Sequence, residues 1–205
     1  MKLYYSKGAC SLAPHIALHE LEIPFEAVPV DLRKEPSPEY LKLNPMGAVP
    51  VILMDNGQPL TEVAVILMYL ADQKPQANLA PKPGTSERYR LQEWLNFIAT
   101  EIHKGFAPLW YVDYLTQNPG AREEIRTFTL VDLGRKFDVI TQKMGTQSYV
   151  MPSGYTIADS YLFAILNWAS MLKIDLSRWT SITTYVERVK SRPGTVKALK
   201  AEHLT

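Results

Sequence analysis

The chain has a single cysteine, Cys10, among 205 residues. One thiol cannot close a disulfide within its own chain, so a disulfide-stapled fold is excluded, and such low cysteine use suits a reducing cytoplasm. Neither sign of charge is in excess: 22 Lys+Arg stand against 21 Asp+Glu, a net charge of +1. General nucleic-acid binding needs a basic face that this balance does not supply. No apolar run approaches the roughly 20 residues of a membrane-spanning helix. No charged segment followed by a short apolar core marks a secretory signal after Met1. The four histidines, His15, His19, His103 and His203, are scattered. His15 and His19 have an i, i+4 spacing that could bind an ion, but no third ligand accompanies them, so no metal is expected. No phosphate-cradling glycine loop and no internal repeat is present. What is there is apolar residues, 46% of the chain, with 10% aromatics, enough for a sizeable core in one large or two small domains.

The first part alternates in type. Lys2–Tyr5 reads as a strand, Ser11–Leu21 as a helix with Pro14 tolerated in its first turn, and Phe25–Val30 as a second strand. Arg33–Pro38 reads as a polar loop, and Pro38–Leu43 as a short helical turn stopped by Asn44-Pro45. Val49–Met54 and Gln58–Leu60 form a hairpin across Asp55-Asn56-Gly57, a strong turn signal. Glu62–Gln73 is helical, with Val63, Ile66, Leu67 and Leu70 on one face. The order β-α-β-α-β-β-α predicts a mixed α/β domain over residues 1–78. A proline-rich stretch follows, and the linker is placed at 79–85. Residues 86–205 carry no strand pattern. Helices are expected at Glu87–Tyr114, bent at Gly105 and Pro108, and at Arg122–Met144, Thr156–Leu172, Trp179–Ser191 and Gly194–Glu202.

Four places carry chemistry. Cys10 sits where a small-residue turn meets a helix start. The open N–H groups and the helix dipole there favour an anion, so the thiol is expected to be acidified. In Ala48-Val49-Pro50-Val51 the proline opens a strand. If the Val49–Pro50 bond is cis, the Val49 N–H and C=O lie exposed at the sheet end and can pair with an extended peptide. In Leu60-Thr61-Glu62-Val63, Glu62 either complements the helix dipole or binds an ammonium beside N–H groups that bind a carboxylate. Those two groups make the head of an α-amino acid. Asn96 and His103, seven residues apart, share a helix face that could line a cleft or simply be core and surface. A fifth motif, Thr156-Ile157-Ala158-Asp159, is a capping box with a structural role. Trp110, Tyr111, Tyr114 and Phe106 could line an apolar pocket or belong to the core.

Taken together these stretches resemble a cytosolic glutathione transferase of the bacterial beta class over nearly the whole chain. The matching runs are Met1–Tyr5, Gly8-Ala-Cys10-Ser-Leu, Asn44-Pro-Met-Gly-Ala-Val-Pro50, Leu60-Thr-Glu62, Tyr69–Asp72, Glu93-Trp-Leu-Asn-Phe97, His103-Lys-Gly105 and Thr156–Asp159. The resemblance implies a thioredoxin-like first domain, an all-helical second domain and a homodimer. It implies glutathione as co-substrate and a small hydrophobic electrophile as second substrate. By the same likeness, Val49 before cis-Pro50 pairs with the cysteinyl unit, and Glu62 and Val63 hold the γ-glutamyl head. Cys10 lies beside the glutathione sulfur and can form a mixed disulfide with it. Lys34, Asn96, His103 and Lys104 fall at glutathione-site positions, His103 and Cys10 being the catalytic candidates. The implied activity is conjugation together with thiol–disulfide exchange. A non-catalytic binding protein and a glutathione-dependent dehalogenase are the rivals on the same fold.

Three departures stand out. Val63 replaces the usual Ser or Gly and removes a hydroxyl contact. Lys7 stands where proline is frequent, and its charge should favour the Cys10 thiolate if it points inward. Met46 removes a cation at the site mouth.

Overall fold

The computed structural model describes residues 1–204. Four strands form a mixed sheet in the order β2-β1-β3-β4. β1 (Lys2–Tyr5) runs parallel to β2 (Glu26–Pro29) and antiparallel to β3 (Val51–Leu53), which pairs antiparallel with β4 (Pro59–Leu60). A parallel pair needs a crossover, and α1 (Leu12–Glu20) supplies it. Leu3 pairs with Ala27 on one side and Ile52 on the other, and both Leu3 and Ile52 are fully buried. β3 begins at Val51 rather than Val49, because Pro50 has no N–H to give to the ladder. The Gly57 N–H donates to the Met54 carbonyl at 2.9 Å, closing the expected turn.

α2 (Pro38–Leu43) is capped by Ser37, whose hydroxyl accepts from the Tyr40 N–H. α3 (Val63–Gln73) buries Val63, Ile66, Leu67 and Leu70, the stripe that its spacing predicts. After it come only helices. α4 (Ser86–Phe97) continues through a π-helical segment, Ile98–His103, into α5 (Lys104–Leu115). The expected bend at Gly105 and Pro108 is thus preceded by a widened turn. Pro108 cannot donate to the Lys104 carbonyl, and the π segment ends against that residue. α6 (Pro119–Met144) starts three residues earlier than Arg122, because Asn118 caps it by accepting from the Gly120 and Ala121 N–H groups. α7 (Ile157–Met171), α8 (Thr180–Lys190) and α9 (Pro193–Ala201) complete the chain.

α7 is the buried axis of the helical part, and α1 is buried between α3, α7 and α9. The α1–α9 contact is close enough to demand glycine. A Cβ at Gly194 would lie 2.5 Å from Glu20 Cγ and 2.8 Å from the Glu20 nitrogen. Glu20 in turn accepts from the Arg192 guanidinium at 2.6 Å and from the Gly194 N–H at 3.1 Å. At the head of α7, Asp159 accepts from the Val150 N–H (2.9 Å), the Thr156 N–H (2.8 Å) and the Thr156 hydroxyl (3.0 Å). No helix among the described residues is long and apolar enough to cross a membrane.

Candidate active site

The β1–α1 turn is pinned from two sides. The Gly8 N–H donates to Glu202 Oε2 at 2.9 Å, and Trp168 Nε1 donates to the Gly8 carbonyl at 2.7 Å. Gly8 has φ +70°, and a Cβ there would lie 3.2 Å from Met171 Cε, so both backbone conformation and space call for glycine. The Ser11 hydroxyl accepts from the Ser6 N–H at 3.1 Å and the Ala9 N–H reaches the Ser6 carbonyl at 3.0 Å. This turn delivers Cys10 to the start of α1, 8% exposed, with its thiol donating to the Val49 carbonyl at 3.3 Å.

The expected acidification of Cys10 does not hold. Burial pushes the thiol up to about 12, with the Glu62 carboxylate adding to the rise. The N–H groups of Cys10 and Ser11 and the Lys104 ammonium pull the other way and lose. Removing a thiolate from water costs more here than one helix terminus returns. The cation that acts on the thiol is Lys104 of the opposite domain, not Lys7.

The Val49–Pro50 bond is cis. The loop before it is held by Tyr40 and Asn44, whose hydroxyl and Nδ2 each donate to the Ala48 carbonyl at 2.7 Å. Among the described residues the Val49 N–H makes no hydrogen bond. Glu62 precedes α3 with φ +68°, a conformation that a non-glycine residue adopts under strain. Its side chain is exposed and does not cap α3, so the first N–H groups of the helix stay open, while the Val63 side chain is buried in the core.

From the helical part come His103 and Lys104, delivered by the π segment and the first residue of α5. His103 Nδ1 lies 2.8 Å from the Tyr161 hydroxyl, and its ring packs edge-on to Trp168 at 5.0 Å. Burial, with Lys104 adding repulsion, lowers the imidazole to about 4, so it is neutral at physiological pH.

These groups face one cleft of about 1310 Å³, lined by Cys10, Val49, Pro50, Glu62, Val63, His103 and Lys104 and, on its far side, by Trp110, Tyr111, Tyr161 and Trp168. Two sequence candidates lie outside it. Lys34 is exposed, with Asp31 3.9 Å from its ammonium; its neighbour Arg33 lines the cleft and bonds Asp31 at 2.9 Å. Asn96 is exposed, and its Nδ2 donates to the Gln92 carbonyl. The shared face expected for Asn96 and His103 assumes α-helical pitch, and the intervening i→i+5 turns rotate one away from the other. Among the aromatics, Trp110 and Tyr111 line the cleft, whereas Phe106 is fully buried and Tyr114 points to solvent. No group of three or more His, Cys, Asp or Glu able to hold a metal is formed among the described residues.

This architecture matches known proteins. The glutathione S-transferase N-terminal domain model matches residues 8–73, and the C-terminal domain model of the same enzymes matches residues 116–193. The chain belongs to the glutathione S-transferase family. It is 40% identical, over the whole of both chains, to glutathione S-transferase GstA of Escherichia coli O157:H7. Among solved structures it resembles the bacterial beta-class glutathione S-transferase of Sphingomonas chungbukensis (40% identity, TM-score 0.90, all of both chains). It also resembles a sphingomonad glutathione S-transferase complexed with glutathione (36% identity, TM-score 0.89, all of both chains).

The sequence pattern conceals two parts of this transferase's cleft and offers a signal for a third. Tyr161 and Trp168 belong to α7, whose near-continuous apolar run reads as core and conceals which side chains reach a cavity. Glu202 lies at the far end of the chain, and only tertiary folding sets it beside Gly8. Arg33 could have been weighed beside Lys34, since both fall in one polar loop.

Proposed function

We propose that this glutathione S-transferase binds glutathione along the Cys10–Val49–Glu62 wall and joins its sulfur to a hydrophobic electrophile held against the aromatic wall. The carrying observation is that one cleft gathers an unpaired Val49 N–H, the open N-terminus of α3 beside Glu62, and the sole thiol, opposite Trp110 and Trp168. The tripeptide lies extended, its cysteinyl amide pairing with Val49 as an added strand would. The γ-glutamyl carboxylate takes the α3 N–H groups at Val63, and the ammonium takes Glu62. With no hydroxyl at Val63, one charged hydrogen bond is missing, worth roughly 1.5–3 kcal/mol of glutathione affinity.

The glutathione thiol gives its proton to solvent, and the thiolate bonds the electrophilic carbon while the leaving group departs with its electron pair. The groups that favour negative charge at the Cys10 sulfur, the Lys104 ammonium and the Cys10 and Ser11 N–H groups, stabilise the glutathione thiolate beside it. Cys10, held protonated by burial, turns its thiol from the Val49 carbonyl to donate to the glutathione sulfur in this step. Tyr161 stays protonated through burial, and its hydroxyl, 2.8 Å from His103 Nδ1, orients the neutral imidazole at the cleft wall. Lys34 extends toward glutathione from the exposed loop that also carries the cleft-lining Arg33. Asn96, facing outward, serves a second copy in a homodimer. On this reading the chain divides at 79–85 into a glutathione-binding unit and a helical unit.

A second reading rests on the placement of the only thiol in the cleft wall. In thiol–disulfide exchange, the Cys10 thiolate attacks glutathione disulfide and expels one glutathione thiolate. A second glutathione thiolate then attacks the mixed disulfide and regenerates Cys10. Burial, which holds Cys10 protonated, slows its attack. Retention on immobilised glutathione, turnover of 1-chloro-2,4-dinitrobenzene and intact mass after glutathione disulfide test both readings. Retention with turnover supports the transferase, and a reductant-sensitive adduct absent from Cys10→Ser adds exchange. No retention and no turnover would sink the glutathione site.

A further inference from the structure

We infer that Lys7 makes this cleft selective for aromatic electrophiles that carry a negative charge. The inference rests on the transferase reading above and names the class of its second substrate. Lys7 occupies the pinned β1–α1 turn, is exposed, and lines the cleft. Among the described residues it takes part in no ion pair or hydrogen bond. Of the three carboxylates that line the cleft, Glu62 is the one given above to the γ-glutamyl ammonium, and the other two are engaged elsewhere. Asp31 is held by Arg33 at 2.9 Å, and buried Glu202 accepts from the Gly8 N–H at 2.9 Å and lies 2.7 Å from His15 Nδ1.

The surface beside Lys7 is apolar and aromatic. Its neighbour Gly8 abuts Met171 and Leu204, and the Gly8 carbonyl fixes the Trp168 indole. Trp168 packs edge-on to Trp110 at 5.7 Å. Through Gly8, Lys7 therefore adjoins the wall built from the helical part, in the same cleft as Val49 and the α3 N-terminus where the peptide is read. A flat aromatic body fits the wall, and an ammonium at its edge favours a carboxylate or sulfonate on that body. Lys104, beside Cys10, is the separate cation for the sulfur.

In the reaction the glutathione thiolate forms a C–S bond at the ring carbon bearing chlorine, chloride leaves with the bonding pair, and the thiol proton goes to solvent. The test compares kcat/KM for 4-chloro-3,5-dinitrobenzoate with that for neutral 1-chloro-2,4-dinitrobenzene. In Lys7→Met the ratio falls about fivefold at low salt, the most an exposed charge pair usually supplies. Lys7→Arg keeps it, and high salt erases the difference. A binding arm uses fluorescence titration with anilinonaphthalenesulfonate and its neutral parent N-phenylnaphthylamine, whose Kd ratio should move in the same direction. An unchanged ratio, or an equal loss on both members of each pair, overturns the inference. So does a rise in glutathione KM that is the same with both electrophiles, since Lys7 would then hold the peptide. If the unaltered protein turns over neither electrophile, the transferase reading fails, and the dye pair alone decides the role of Lys7.

Discussion

Cys10 gives the sharpest check on the electrostatics of the cleft, because it is the only thiol in the chain. Every alkylation event seen by intact mass therefore reports on this site. The perturbation is unfolding. In urea Cys10 becomes an ordinary thiol near 9.0, whereas in the folded protein burial holds it up to about 12. That difference leaves about a thousandfold less thiolate at any pH below both values. Iodoacetamide reacts with the thiolate, so the native rate at pH 8 should be at least about a thousandfold below the unfolded rate. Restricted access can only slow it further. The native rate should also keep rising tenfold per pH step to at least pH 10, with no plateau. A native rate within tenfold of the unfolded one, or a plateau below pH 9, would refute the reasoning. Either would mean that the α1 terminus and Lys104 outweigh desolvation, and Cys10 would then be a resident nucleophile.

Acid stability should reveal two opposed groups. His103, lowered to about 4, takes its proton later in the folded chain than in the unfolded one, so its stabilisation is present above pH 6.5 and is lost as pH falls toward 4. Asp159, raised by burial to about 6 from 3.8, takes its proton earlier in the folded chain, which relieves destabilisation over pH 6 to 4. Urea midpoints at pH 4.5 and 7 should therefore differ less in His103→Gln and more in Asp159→Asn; the reverse order would contradict both assignments. Gly194→Ala should lose about 1–3 kcal/mol by forcing α9 off Glu20, read as a lower Tm, since the nearest atoms include backbone that cannot swing away. Trp168→Phe removes the 2.7 Å bond to the Gly8 carbonyl and should lose roughly 1–3 kcal/mol. Its turn at residues 6–9 should exchange amide hydrogens faster, and unchanged exchange there would show that Glu202 alone holds it.

Local chemistry settled much of this protein before any tertiary contact was considered. Alternating patterns located every strand within a few residues, and the spacing of Val63, Ile66, Leu67 and Leu70 set the buried face of α3. Asp55-Asn56-Gly57 and Thr156–Asp159 placed a turn and a helix start because their signals are carried by neighbouring atoms. Motif order identified the family. Where the chain departs from ideal pitch, pattern reading fails. A π segment leaves no mark in hydrophobic spacing, so the relation of Asn96 to His103 could not be read. Nor does a residue type disclose its solvent. Cys10 stands at a helix terminus in the sequence, but the domain packed over it removes the water that a thiolate needs, and desolvation outweighs the dipole. The same packing brings Glu202 to Gly8 and Trp168 to the turn before Cys10, across most of the chain's length. The sequence by itself determined the elements and the family; the docking of the helical domain decided the charge state of the thiol and the shape of the cleft, because both depend on atoms far apart in the chain.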